Sequence, residues 1–175
     1  MTTDTEGYFW PTHEQELLLK ATLLKGENAV TAWRRWAALV DFDRLDAGSQ
    51  RLLPLLYKNL TDQNVRHPVL DVYKGFYRMT WYKNRLLCHR ITGVLRLLDQ
   101  HGIASLLLKG AALVSLYYKD WALRPMNDFD LLVEQDQALD AIDLLCRNGW
   151  TAVESQPNEK DFLTRHACTL TDSSG

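Results

Sequence analysis

Two aspartates stand one residue apart in the segment RPMNDFDLLV, residues 124–133. In a strand, residues i and i+2 point to the same face, so Asp128 and Asp130 present two carboxylates side by side while Phe129 faces the other way. Two negative charges this close repel each other unless a cation lies between them. Mg²⁺ takes carboxylate oxygens and completes its shell with water and substrate phosphates. The pair therefore predicts a metal site, and the alternative is two solvated acidic residues at the start of a strand.

A glycine-containing turn, LLLKGAAL, precedes the aspartate pair in the chain. Such a strand-to-helix turn exposes backbone N–H groups at a helix N-terminus, where phosphate binds favourably. Lys109 before Gly110 either contacts phosphate or is a solvated strand end. Arg124 either binds a triphosphate or pairs with one of the aspartates. A phosphate cradle, cationic side chains and paired carboxylates together favour nucleotidyl or phosphoryl transfer.

Helices must dominate the front of the chain, and a sheet must carry the aspartates. Apolar residues recur at helical spacing through four segments: 12–24, 28–40, 46–60 and 67–102. Thr12 is the expected N-cap of the first segment. After Gly102, four strands are predicted at 103–110, 128–134, 151–155 and 162–171, with helices at 111–118 and 136–150. We therefore predict an α+β protein with a helical subdomain at 1–101 and a sheet-bearing core at 102–175.

Composition narrows the classes of function and location. Hydrophobic residues make up 46% of the 175 residues, which is enough for a packed core, and the formal net charge is -2. This near-neutral balance weighs against a nucleic acid partner. No apolar run approaches the roughly 20 residues that span a bilayer, so no membrane partner is expected. The N-terminus lacks the basic start and apolar stretch of a signal peptide, which predicts a cytoplasmic protein.

The segment LLLKGAALVSLYYKDWALRPMNDFDLLV, followed by ALDAIDLLCRNGW, resembles the uncharacterised nucleotidyltransferase family of the DNA polymerase beta-like superfamily. The likeness rests on the Lys-Gly turn, the Arg-Pro-Met-x-Asp-x-Asp block and the helix that ends in a glycine. It implies a short mixed sheet flanked by helices behind a helical N-terminal subdomain. It further implies that Asp128 and Asp130 are catalytic metal ligands for Mg²⁺, with two ions expected and Mn²⁺ as the alternative. The nucleotide-binding residues implied by the turn and the loop are Lys109, Gly110, Ala111 and Arg124.

The sequence departs from the superfamily pattern in two places. Ala111 follows Gly110 where a serine hydroxyl or a second glycine is usual. The superfamily also places a third Asp on a later strand, and Asp172 falls in what reads as a hairpin turn. We expect the chain to be a fragment of a longer protein, with that Asp within about 20 residues after Gly175. If the chain instead ended at Gly175, the strand at 162–171 would have an unpaired edge that favours self-association.

The function that follows is Mg²⁺-dependent transfer of a nucleoside monophosphate from an NTP, such as ATP, to an unknown hydroxyl acceptor. One alternative is a non-catalytic module that binds a nucleotide or a protein on the same fold. Another is a helical interaction protein whose sheet is only a scaffold, which predicts no nucleotide binding.

Overall fold

The structure is a computed structural model that describes residues 10–153 and 167–172. The part of the chain before the first strand holds four α-helices, namely α1 (His13–Leu23), α2 (Gly26–Leu39), α3 (Ala47–Asp62) and α4 (Leu70–Gln100), with a 3₁₀ turn at Phe42–Arg44. The later elements are β1 (Ser105–Leu108), α5 (Lys109–Leu113), a π-helical turn at Val114–Tyr118, β2 (Asp130–Val133), a 3₁₀ turn at Gln135–Gln137, α6 (Ala138–Arg147), β3 (Trp150–Ala152) and β4 (Leu170–Asp172).

The four predicted front helices are all confirmed, and side chains cap the starts of α1 and α3. The Thr12 hydroxyl accepts from the backbone N–H of Gln15, and the Gln15 side chain accepts from the N–H of Thr12, which forms a capping box. Asp46 caps α3 in the same way by accepting from the N–H of Ser49. Pro54 lies inside α3, which continues through it. The predicted helix at 67–102 is one helix of 31 residues.

Contacts divide the described chain into two compact units. The first unit contains the residues up to Leu86 together with Leu113–Asn127, and the second contains Leu87–Ala112 together with the residues from Asp128 onward. Each unit thus includes residues from both sides of position 102, while the predicted subdomain boundary there remains a prediction.

The core of the first unit is built from aliphatic and aromatic side chains of its helices. Trp33 and Trp36 are 4% and 1% exposed, so these two rings are packing residues. The indole N–H of Trp33 donates to the Tyr73 hydroxyl at 3.4 Å, and burial raises the pKa of that hydroxyl. The cluster includes the fully buried leucines Leu18, Leu53, Leu56 and Leu60.

The second unit carries the strands, and its arrangement confirms the α+β class. Among the described residues, β1 pairs antiparallel with β2, and β3 pairs antiparallel with β4, so two small antiparallel sheets stand where the family resemblance implied one mixed sheet. Its core contains Val94, Leu98, Ile103, Ala141 and Leu145.

The last strand differs from the expectation. Asp172 ends β4 opposite Trp150 and its carboxylate lies 3.3 Å from Nε of Arg90, so it belongs to a strand and not to a turn. Of the predicted strand at 162–171, residues 162–166 lie outside the described residues. The edge-to-edge self-association of this strand remains a prediction.

None of the helices in residues 10–153 combines the length and the apolarity that a bilayer span requires.

Candidate active site

The antiparallel pairing of β1 with β2 brings the glycine turn to the aspartate pair. The register places Leu108, the last residue of β1, opposite Asp130, the first residue of β2. Lys109 follows Leu108 directly and Asp128 lies two residues before Asp130. The turn and the two carboxylates therefore meet at one end of this small sheet, although Asp128 follows Lys109 by 19 positions in the chain.

The two faces of this strand differ as the residue types require. Phe129 packs against the core of the second unit, with its ring edge-on to Trp150 at a centroid distance of 6.0 Å. Leu131 and Val133 pack on the same core. Asp128 is exposed, and the Asp130 side chain is 41% exposed. The alternation predicted for this segment is present at Asp128, Phe129 and Asp130, although β2 starts only at Asp130 and the apolar Leu132 is 54% exposed.

Lys109 supplies a cation at the carboxylate pair. Its Nζ lies 2.9 Å from Oδ1 of Asp130, where it donates a hydrogen bond within an ion pair. That hydrogen bond raises the pKa of Lys109, and the negative charges of Asp130 and then Asp128 raise it further. Both carboxylates thus lie within electrostatic reach of one ammonium group. Because the Lys109 side chain is 72% exposed, water screens this pair and it contributes little to stability.

The backbone of the turn is unusual at Lys109 and not at the neighbouring glycine. Lys109 has φ +49°, in the left-handed region, whereas Gly110 is not among the glycines with positive φ. A residue with a Cβ atom is disfavoured there by roughly 1–2 kcal/mol. α5 starts at Lys109, so Gly110 and Ala111 lie in the first turn of a short helix.

Arg124 belongs to the first unit, where the loop that contains it is held by a buried amide. Asn84 of α4 is 0% exposed. Its Nδ2 donates to the carbonyl oxygens of Trp121 at 2.6 Å and of Arg124 at 2.7 Å, and its Oδ1 accepts from the N–H of Met126 at 3.2 Å. The Nε atom of Arg124 is buried and has no hydrogen-bond partner in the described part of the chain.

A second contact holds the start of the same loop. The Tyr77 hydroxyl donates to Oδ2 of Asp120 at 2.8 Å, and Oδ1 of Asp120 accepts from the N–H of Ala122 at 2.9 Å. Burial, followed by the hydrogen bond and charge of Asp120, raises the pKa of Tyr77 to about 12.

Asn84 and Tyr77 were missed by the sequence reasoning. The available signal was a polar residue at a core position: Asn84 follows Tyr73 and Thr80 at helical spacing, and all three are buried. A buried amide needs several hydrogen-bond partners, so this pattern indicates that a polar backbone segment packs on the helix.

The chemistry of the two aspartates fits a hard cation. They offer carboxylate oxygens on one exposed edge, which are the donors that Mg²⁺ and Mn²⁺ take, and a lysine ammonium already stands at one of them. Within residues 10–153 and 167–172, three or more His, Cys, Asp or Glu side chains do not gather around a point that could hold a metal. The aspartates thus supply two ligands, and the predicted third Asp after Gly175 remains a prediction.

The model of a protein family described as "Uncharacterised nucleotidyltransferase" matches residues 36–171, which is more than three quarters of the chain. The match contains the Lys109 turn, the Arg124 loop and both aspartates. No curated protein and no solved structure shows significant similarity to the chain.

Proposed function

Because this chain belongs to the uncharacterised nucleotidyltransferase family, we propose that it transfers a nucleoside monophosphate from an NTP to a hydroxyl acceptor at a Mg²⁺ site formed by Asp128 and Asp130. The observation that carries the proposal is the meeting of the Lys109 turn with the two carboxylates at the paired ends of β1 and β2. Placement in the DNA polymerase beta-like superfamily is part of the same proposal.

The aspartates would hold the cation, with Mn²⁺ as the alternative to Mg²⁺. When bound, the ion would neutralise charge on the triphosphate and polarise its phosphorus–oxygen bonds. Both side chains are open to solvent, since Asp128 is exposed and the Asp130 side chain is 41% exposed. Phe129 lies between them in the sequence and anchors this segment by packing against the core of the second unit.

Lys109 and the first turn of α5 would receive the phosphates. The Lys109 ammonium is exposed and flexible, and it can exchange the Asp130 carboxylate for a phosphate oxygen when a nucleotide arrives. The backbone N–H groups of Gly110 and Ala111 lie in the first turn of α5, where intrahelical acceptors are absent and an anion is favoured. Gly110 is half-buried, whereas Ala111 is fully buried, so the N–H of Gly110 is the accessible one of the two. Arg124 lies in the first unit, and its assignment to nucleotide binding stays a prediction.

The test is a thermal-shift titration with each of the four ribonucleoside triphosphates, with and without Mg²⁺. A ligand present at 100 times its dissociation constant adds roughly 2.7 kcal/mol to the free energy of unfolding, which is a measurable shift. We expect a Mg²⁺-dependent shift that is lost in the double variant Asp128→Ala/Asp130→Ala. The matched control is Asp136→Ala/Asp140→Ala, which removes two exposed carboxylates from the same unit and should leave the shift intact.

The proposal for this chain would be overturned if the protein melts cooperatively and no nucleotide raises its melting temperature. An equal shift in both double variants would mean that the nucleotide binds elsewhere and not at the aspartate pair.

The second candidate function is nucleotide binding without turnover on the same fold. It is favoured by Ala111, which offers no hydroxyl to the triphosphate, and by the two-carboxylate set among the described residues. An assay of pyrophosphate release with a panel of hydroxyl acceptors distinguishes the two functions. Release that depends on Asp128 and Asp130 supports the transferase, and binding without release supports the module.

A further inference from the structure

A stripe of exposed apolar residues runs along one face of α4. Val72, Met79 and Leu86 repeat every seven residues, and Tyr82 lies between the last two at the spacing of a coiled-coil seam. These side chains are 50%, 56%, 49% and 57% exposed, in the order Val72, Met79, Leu86 and Tyr82. Apolar side chains that share one helix face and remain in water mark an interaction surface.

The helix itself is firmly held through its other side. Tyr73, Thr80 and Asn84 are buried within the first unit at 0%, 7% and 0% exposure. The stripe is therefore presented by a helix whose orientation within this unit is fixed, and a partner that docks on it would meet a preformed surface.

Gly75 lies on the same face as the stripe, one helical turn after Val72. A Cβ atom at this position would have no heavy atom within 4 Å, so no close packing within the chain requires a glycine here. Glycine in a helix interior costs about 1 kcal/mol relative to alanine. A glycine at this position allows the backbone of another helix to approach closely, which accounts for it where contacts within the chain do not.

Basic side chains flank the stripe on both sides. By helical geometry, Arg78 and Arg85 lie along one edge, one and two heptads after the exposed Asp71, and Lys83 lies along the other edge. The three basic residues are exposed, and none forms an ion pair with a residue in the described ranges. Two copies of this face would set basic edge against basic edge, which disfavours self-pairing.

We propose that the face of α4 formed by Val72, Met79, Tyr82 and Leu86 binds an amphipathic helix of a partner protein whose apolar seam is flanked by acidic residues. The seam of the partner covers the four apolar side chains, and its Asp or Glu residues pair with the basic edges. This surface uses none of the residues assigned to nucleotide transfer, so the inference stands independently of the proposed function.

The probe is a synthetic peptide of about three heptads with Leu at every a and d position and Glu at every e and g position. A matched peptide carries Lys in place of Glu. Like charges at these positions keep each peptide from pairing with itself. We expect the Glu peptide to bind roughly tenfold or more tightly than the Lys peptide by fluorescence anisotropy, with an affinity that falls as salt is added.

Two sets of variants locate the binding. Met79→Ser/Leu86→Ser should weaken binding of the Glu peptide roughly tenfold or more, because it removes apolar area from the seam. The matched control is Trp81→Ser, since Trp81 is 49% exposed but lies off the stripe, and it should leave binding unchanged. Circular dichroism establishes that these surface variants remain folded.

The charge-reversal variant Arg78→Glu/Lys83→Glu/Arg85→Glu gives the sharpest result. It should exchange the preference, binding the Lys peptide over the Glu peptide. The proposal is overturned if the native protein binds neither peptide or both equally. It is also overturned if Met79→Ser/Leu86→Ser changes nothing, if phosphatidylserine vesicles bind this face in place of the peptide, or if the face forms a dimer in equilibrium sedimentation.

Discussion

The Arg124 loop and the Lys109 turn both carry proposed nucleotide-binding residues, but they are held in opposite ways. The loop is held by Asn84, which is fully buried and makes three hydrogen bonds to its backbone. The turn is tied to the aspartate pair by one ion pair, between side chains that are 72% and 41% exposed.

This contrast separates a firmly held loop in the first unit from an adjustable turn in the second unit. Breaking a buried hydrogen bond leaves polar groups without water or a partner, so the loop keeps one conformation. An exposed ion pair exchanges readily with water and ions, so the Lys109 side chain can respond to a nucleotide or a cation. The mutations below test the two halves of this comparison, from the largest expected effect to the smallest.

Asn84→Leu should cause the largest loss. It removes both the donor and the acceptor of the amide and leaves two carbonyl groups and one N–H of the loop unsatisfied, at about 3 kcal/mol or more in the free energy of unfolding. Urea denaturation measures this loss. Asn148→Leu is the matched control: its amide donates to Leu144 on an exposed surface, so a change within about 0.5 kcal/mol is expected. Equal losses at the two positions would mean that the amide of Asn84 does not hold the loop.

The backbone strain at Lys109 should give the next largest effect. Lys109→Gly and Lys109→Ala both remove the ion pair, but only glycine adopts φ +49° without a steric penalty. The glycine variant should therefore be more stable than the alanine variant by about 1–2 kcal/mol in thermal or urea unfolding.

Lys119 provides the comparison for this pair of variants, because it has φ +53° and is not the lysine paired with Asp130. The same difference between glycine and alanine is expected there. If the glycine and alanine variants differ in stability at position 119 but not at position 109, the turn at Lys109 relaxes on substitution and is not strained.

Tyr77→Phe should cost about 1 kcal/mol at neutral pH, since it removes one half-buried hydrogen bond to a carboxylate. The ordinary pKa of tyrosine is 10.0 and the folded value is about 12, so the hydroxyl is held protonated in the fold. A raised folded pKa contributes stability that is fully present below pH 10 and is lost as the pH rises through about 12. The difference in unfolding free energy between the native protein and Tyr77→Phe should therefore shrink over this range. If this difference stays constant from pH 10 to pH 12, ionisation of the Tyr77 hydroxyl does not contribute to the pH dependence of stability.

The sequence predicts well the features that depend on neighbouring residues. Thr12 and Gln15 form a capping box because they stand three apart, and the alternation of Asp128, Phe129 and Asp130 fixes which face each side chain occupies. It predicts poorly what depends on distant contacts. Asn84 bonds to residues 37 to 42 positions away, and no local pattern encodes that pairing.

Two further differences have similar causes. The positive φ falls on Lys109 although a glycine stands beside it, because the strand ends at Leu108 and the chain must turn at the next residue. Asp172 reads as a turn residue because Ser173, Ser174 and Gly175 follow it, but pairing with Trp150 extends β4 to include it.

The smallest effect on stability, and the most informative one for the site, should come from Lys109→Met. Methionine keeps the length of the side chain but removes the ammonium, and the loss of this exposed ion pair should leave the free energy of unfolding nearly unchanged. The same change should strengthen Mn²⁺ binding several-fold, because the ammonium at 2.9 Å from Asp130 competes with a divalent cation for the same oxygen. Titration with Mn²⁺ followed by electron paramagnetic resonance measures this affinity without requiring turnover, and Lys119→Met should leave it unchanged. Weaker Mn²⁺ binding in Lys109→Met would reverse the comparison: the ion pair would then be holding Asp130 in place for the metal, and the turn would be held as firmly as the loop that Asn84 binds.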